Sequence, residues 1–129
     1  MPKRPLRSTG NMSAVSFDDV RAAAARIDGI VAHTPVISSP ALDALAGRRL
    51  FFKCENLQHV GAFKYRGASN AVALLGDEAE NGICTHSSGN HAQAVALAAK
   101  RRGVSAYIVM PDTAPKIKVE GVRSHGAEI

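Results

Sequence analysis

Tryptophan is missing from this 129-residue chain, and aromatics make up only 5% of it. No row of aromatic side chains alternates with basic ones, so the stacking platform of a nucleic-acid binder is absent. The net charge of +5 does not restore that reading. The cations are scattered, and their densest cluster, Lys3, Arg4 and Arg7, lies at the extreme N-terminus. No apolar run approaches membrane-spanning length, and the basic first residues lack the apolar stretch of a secretory signal. Cysteine is scarce too. Cys54 and Cys84 form no C-x-x-C pair, which leaves a zinc site or a disulfide scaffold unsupported. Their apolar, strand-like flanks predict two buried thiols in a reduced compartment. His86 and His91 carry no H-E-x-x-H pattern, and no metal site is expected. The expected setting is cytoplasmic, with neither nucleic acid nor membrane as partner.

What is present is ordinary for a globular fold: 46% hydrophobic and 21% charged residues, enough for one core. Residues 1–15 read as a disordered basic tail, with Met12 an alternative start. Ser16, Phe17, Asp18 and Asp19 have capping-box spacing. Val20, Ala23, Ala24 and Ile27 follow at helical spacing up to Gly29. Ser39-Pro40 is an N-cap followed by an N1 proline, opening a helix over Ala41 to Ala46 that Gly47 ends. Arg49 to Cys54 reads as a strand. Lys64 to Leu75 reads as a helix with Ala68, Val72 and Leu75 on one face. The second half alternates strand and helix: Ile83 to His86, His91 to Arg102, Ala106 to Met110, Pro115 to Ser124, and a start of strand at Ala127 to Ile129. That order predicts a parallel sheet with right-handed crossovers. A parallel sheet is normally covered on both faces, so the chain is expected to be the N-terminal portion of a larger protein, incomplete at its C-terminus.

Two stretches carry chemistry. In GAFKYRGASNAV, Lys64 stands where a helix begins, facing the positive end of the peptide dipole. A nucleophilic lysine needs help losing its proton, and desolvation by Phe63, the helix N-terminus and the charge of Arg66 would give it. A solvated lysine in a first turn is the plainer reading of this segment alone. In THSSGNHAQ, a strand enters a polar turn and then a helix. Backbone N–H groups there, with Ser87, Ser88 and Asn90, make a cradle for a carboxylate or phosphate. An N-cap and a turn would use the same residue types.

Taken together, these stretches resemble the fold-type II pyridoxal-phosphate enzymes. GAFKYRGA is similar to their S-F-K-x-R-G-A lysine segment, and SSGNHAQ to their substrate-carboxylate loop. FFKCENLQ and YIVMPDTAPKIKVEGVRSHGAEI match as well, so the likeness runs from His33-Thr34-Pro35 to the last residue. Within that superfamily the chain most resembles threonine/serine dehydratases and serine racemases.

The resemblance implies an α/β fold of tryptophan-synthase-β-like type, a three-layer parallel sheet with flanking helices. Residues 16–76 would belong to the large cofactor domain and 77–129 to the first part of a small domain. Lys64 would condense with pyridoxal 5'-phosphate and take the Cα proton of the substrate. Phe63 would pack beside the cofactor ring, and Asn90 would bond its 3-hydroxyl oxygen. Ser87, Ser88, Asn90 and His91 would surround the substrate carboxylate.

The implied reaction is elimination of water from a hydroxy amino acid, giving a 2-oxo acid and ammonia. Ser88 matches the residue that in serine racemases faces the substrate from the side opposite the lysine, so racemisation is the alternative. A non-catalytic remnant binding a small carboxylate or another chain is a further reading. The full-length enzyme is expected to be a homo-oligomer with a small amino acid as substrate.

Two departures stand out. Ala62 replaces the usual serine before Phe63-Lys64. The family's glycine-rich phosphate loop, its partner for the pyridine nitrogen and its metal-binding carboxylates are not in these residues. The isolated chain is therefore expected to bind the cofactor weakly, to be inactive and to expose apolar sheet faces.

Overall fold

A computed structural model describes residues 14–129. The expected tail over residues 1–15 lies almost wholly outside the described residues. Helix α1 (Phe17–Ile27) begins with the expected capping box: the Ser16 N–H donates to Asp19 Oδ2 at 2.8 Å, and the Asp19 N–H donates to Ser16 Oγ at 3.2 Å. Of its expected apolar stripe only Ile27 is buried, and Val20 stays exposed. Helix α2 (Pro40–Ala46) starts at the proline itself, capped by Ser39, and stops at Gly47 in the left-handed region.

Between them, β1 (Val36–Ile37) pairs antiparallel with β2 (Phe52–Lys53). The strand expected over Arg49 to Cys54 thus shrinks to two residues. The cause lies in the neighbouring helix: Asp43 Oδ1 takes the Leu50 N–H at 2.8 Å, which binds that approach to α2 rather than to a ladder.

Helix α3 (Lys64–Leu74) buries Tyr65, Ala68, Ser69 and Val72, an i, i+3, i+4, i+7 stripe. Leu75, expected on that face, is the C-cap and is exposed. A 3₁₀ segment over Gly76–Asn81 leads into β3 (Ile83–His86).

Strand β3 runs parallel to β4 (Ala106–Val109), joined by α4 (Asn90–Arg102). Helix α5 (Lys116–Ser124) then returns the chain to Glu128, which makes a single parallel bridge to Tyr107. The expected strand–helix–strand–helix–strand order is therefore present, its last strand reduced to that bridge.

The core centres on α4. Ala92, Ala94, Val95, Ala96, Ala98 and Ala99 are all buried, because α3, α5 and the β3–β4 sheet pack around it. Alanine lets those neighbours approach closely at little entropic cost. The opposite face of the sheet is bare. Cys84, His86, Tyr107 and Val109 alternate outward and are exposed, whereas Ala106 and Ile108 point inward and are buried. Cys84 is thus not the buried thiol expected, and Cys54 is only half-buried. Among the described residues no helix is long and apolar enough to cross a membrane.

The packing around α4 sets a test. Ala99→Leu should destabilise the chain by about 2 kcal/mol through overpacking. Ala44→Leu, on exposed α2, should change stability by less than about 0.5 kcal/mol. Urea unfolding followed by circular dichroism measures both.

Candidate active site

Lys64 is the first residue of α3 and is exposed. Its Nζ lies 5.3 Å from the Phe63 ring centroid, over a ring that is itself 59% exposed. The desolvation expected from Phe63 is therefore not found among the described residues. Ala62, in the position of the family's serine, is buried behind them.

Arg66 is paired with a carboxylate and is not a free charge beside Lys64. It turns away and grips Glu55 with two nitrogens, Nε to Oε2 at 2.8 Å and a terminal nitrogen to Oε1 at 2.7 Å. The same terminal nitrogen donates to the Ala32 carbonyl at 3.1 Å and to Thr34 Oγ1 at 3.3 Å. Thr34 in turn donates to Glu55, and Lys53 Nζ reaches the Thr34 carbonyl at 2.6 Å. Gln58, buried, closes the cluster: its amide accepts from the Ala32 N–H and donates to the Ala32 carbonyl, each at 2.9 Å. These bonds fix the start of α3 to the His33-Thr34-Pro35 segment and to the loop after β2. The Arg66 guanidinium, above all, holds the Glu55 carboxyl at about 2, well below its usual value. The spacing of Glu55 and Arg66, in two segments that each match the family, was the available signal for this cluster.

The second stretch is a strand–turn–helix junction. Helix α4 begins at Asn90, one residue earlier than expected, with Gly89 as N-cap and no side-chain cap. Ser87 Oγ accepts the Gly89 N–H at 3.3 Å, and Ser88 is exposed. The first-turn N–H groups of α4 are thus open to an anion, with the dipole in its favour. His91, half-buried, sets Nε2 at 3.4 Å from Thr85 Oγ1.

Asn90 Oδ1 takes a hydrogen bond from Lys118 Nζ at 2.8 Å. An ammonium can only donate, so the bond leaves the Asn90 Nδ2 hydrogens as free donors, the polarity that a phenolate oxygen requires. No spacing rule in the sequence pointed to Lys118.

Ser87, Ser88, Asn90 and His91 therefore share one junction, while Phe63 and Lys64 share the start of α3. The two helices pack along one another, and among the described residues no hydrogen bond joins Lys64 to the turn. An exposed primary amine beside an aromatic ring, an uncapped helix start and a free amide donor together match the chemistry of an aldehyde-bearing, anionic aromatic cofactor.

The match to known proteins agrees. Residues 27–129 fit the family described as pyridoxal-phosphate dependent enzyme, and the chain belongs to that family. It is 56% identical over 117 residues to a serine racemase of Oryza sativa subsp. indica, covering 90% of this chain and 34% of that protein. It is similar to the structure of maize serine racemase, with a TM-score of 0.87 and 55% identity over 91% of this chain and 36% of that one. It is also similar to a threonine deaminase of T.th., with a TM-score of 0.80 and 45% identity over 88% of this chain and 36% of that one. The chain thus spans about a third of the length of these relatives. The fold class is the expected one, an α/β fold of fold-type II, and the cofactor of the family is pyridoxal phosphate.

The Arg66–Glu55 pair gives a pH test. Its carboxyl is depressed in the folded chain, so its stabilisation is complete above the ordinary carboxylate range, near 4.5, and is lost as pH falls toward about 2. Between pH 5 and 2 the wild type should lose more stability than Glu55→Gln. Arg66→Ala should cost about 2 kcal/mol at pH 7, read from urea midpoints.

Proposed function

We propose that the chain forms the lysine-bearing part of a pyridoxal-phosphate enzyme that acts on a small hydroxy amino acid, with serine racemisation favoured over ammonia-lyase activity. The expectation from sequence ranked these the other way round. The observation that carries the new order is the 56% identity to a serine racemase, against 45% to a threonine deaminase structure. The likeness to the deaminase, at a TM-score of 0.80, keeps elimination of the hydroxyl, with release of a 2-oxo acid and ammonia, as the second reading.

When bound, pyridoxal phosphate supplies an electron sink that acidifies the substrate Cα–H. The chain's own residues would do the rest. Lys64 would anchor the cofactor and accept the proton. Phe63 would flank the ring, and the Asn90 amide, steadied by Lys118, would donate to the ring's 3-oxygen. The open first turn of α4, with Ser87, Asn90 and His91, would hold the substrate carboxylate and orient it. The Ser88 hydroxyl would return a proton to Cα. Its exposure in the turn leaves it free for that task.

The division into a large and a small domain is proposed near Gly76, where α3 ends and the backbone turns through a positive φ. A cytoplasmic setting and a homo-oligomeric full-length enzyme belong to the same proposal.

Two measurements test it. In a protein carrying this chain with the remaining length its relatives have, incubation with pyridoxal 5'-phosphate, borohydride reduction and peptide mass spectrometry should place the cofactor on Lys64, and Lys64→Ala should lose it. Label spread evenly over surface lysines refutes the assignment. In a protein carrying this chain with the remaining length its relatives have, L-serine should yield D-serine. Ser88→Ala should cut that rate by about 100-fold while sparing pyruvate formation. Loss of both products in parallel would favour a carboxylate-binding role for Ser88 alone.

A further inference from the structure

One feature that this chemistry leaves unused is a cavity of about 430 Å³ between the end of α1, one face of α3 and the last turn of α4. Ile30, Tyr65, Ser69 and Val72 form much of its wall, and Arg101 and Arg102 stand at its rim. No acidic side chain lines it. Tyr65 and Ser69 are 0% and 4% exposed, and neither the phenol oxygen nor the serine hydroxyl has a hydrogen-bond partner. Buried polar groups normally are paired, so two orphans in one wall are unusual.

The arginines are also incompletely matched. Arg101 donates to the Ile30 carbonyl at 2.7 Å and lies 5.3 Å from the Tyr65 ring centroid, and Arg102 donates to the Gly76 carbonyl. Each makes these bonds to neutral oxygens, and among the described residues neither has a carboxylate partner. A guanidinium carries five N–H donors, so both keep donors to spare. His59 backs Tyr65 edge-on at 5.1 Å, and Arg101 approaches its Nε2 at 3.4 Å. The charge facing the cavity is thus positive throughout.

A concave, largely apolar wall with a few polar groups, at this volume, is the ordinary form of a small-molecule site. We infer that this cavity binds a small organic carboxylate with an apolar body, its carboxylate taken by Arg101 and Arg102 and its body laid against Ile30 and Ala73, over the buried Tyr65. The site is separate from the proposed reaction. Arg101 stands roughly 16 Å along α4 from Asn90, and neither Ser87 nor Ser88 lines the cavity.

Absence of tryptophan makes the test direct. With two tyrosines in the chain, Tyr107→Phe leaves Tyr65 as the lone tyrosine emitter. In that background cyclohexanecarboxylate should change the emission saturably, and cyclohexylmethanol should bind at least about tenfold more weakly. Arg101→Gln with Arg102→Gln should weaken the acid by a similar factor, with circular dichroism confirming the fold. Ala73→Phe, which fills the cavity and keeps both arginines, should abolish binding, and Lys64→Ala should leave it unchanged. No saturable change, equal affinity for acid and alcohol, or binding that survives Ala73→Phe each overturns the inference. Loss of cofactor labelling at Lys64 with binding intact would instead overturn only the proposed reaction.

Discussion

The core of this chain is arranged around a helix whose buried face is almost all alanine. Six residues of α4 are buried, five of them alanine, and three elements close on it at once. Such a helix contributes little apolar area per residue. What it contributes is proximity: α3 can lie against it without intervening bulk. The amine at the start of α3 and the open N–H groups at the start of α4 are therefore borne by two helices locked to each other rather than by independent loops. Placing a site on packed helices holds it more closely than loops would.

Packing alone does not fix the position of α3 along its own axis, because alanine surfaces are smooth. The polar cluster of Thr34, Glu55, Gln58 and Arg66 supplies that register. Its bonds are directional and partly buried, and the Arg66–Glu55 fork has one good geometry. Removing one partner would strand the other, which gives the cluster its leverage over the Lys64 end of the helix. Arg66 thus serves the Lys64 end of α3 through structure.

Much of this was legible in the residues. Caps and breakers at Ser16, Ser39 and Gly47 placed the helix ends to within a residue or so, because those signals are local. The order of α4, β4 and α5 followed from alternating periodicity, and the family followed from two motifs in the right order. What escaped was decided at a distance. The strand over Arg49 to Cys54 was shortened by a side chain from α2, and the burial of Cys84 was misjudged because local flanks do not say which sheet face is covered. Lys118 reached Asn90 from 28 residues away, a contact that no spacing rule encodes. The cavity beside Tyr65 likewise exists only once three helices meet.

The bare face of the β3–β4 sheet follows from the same arithmetic. Side chains alternate along a strand, so a helix that covers one face leaves every second residue uncovered. Here that set is Cys84, His86, Tyr107 and Val109, two of them large apolar residues with 43% and 62% of their surface open. Strands of parallel sheets are buried on both faces in folds of this class, and a central strand that is apolar on both sides reflects it. Strand β4, Ala-Tyr-Ile-Val, has that character, while β3, Ile-Cys-Thr-His, does not. The sequence of β4 is thus written for a two-sided environment of which α4 provides one side.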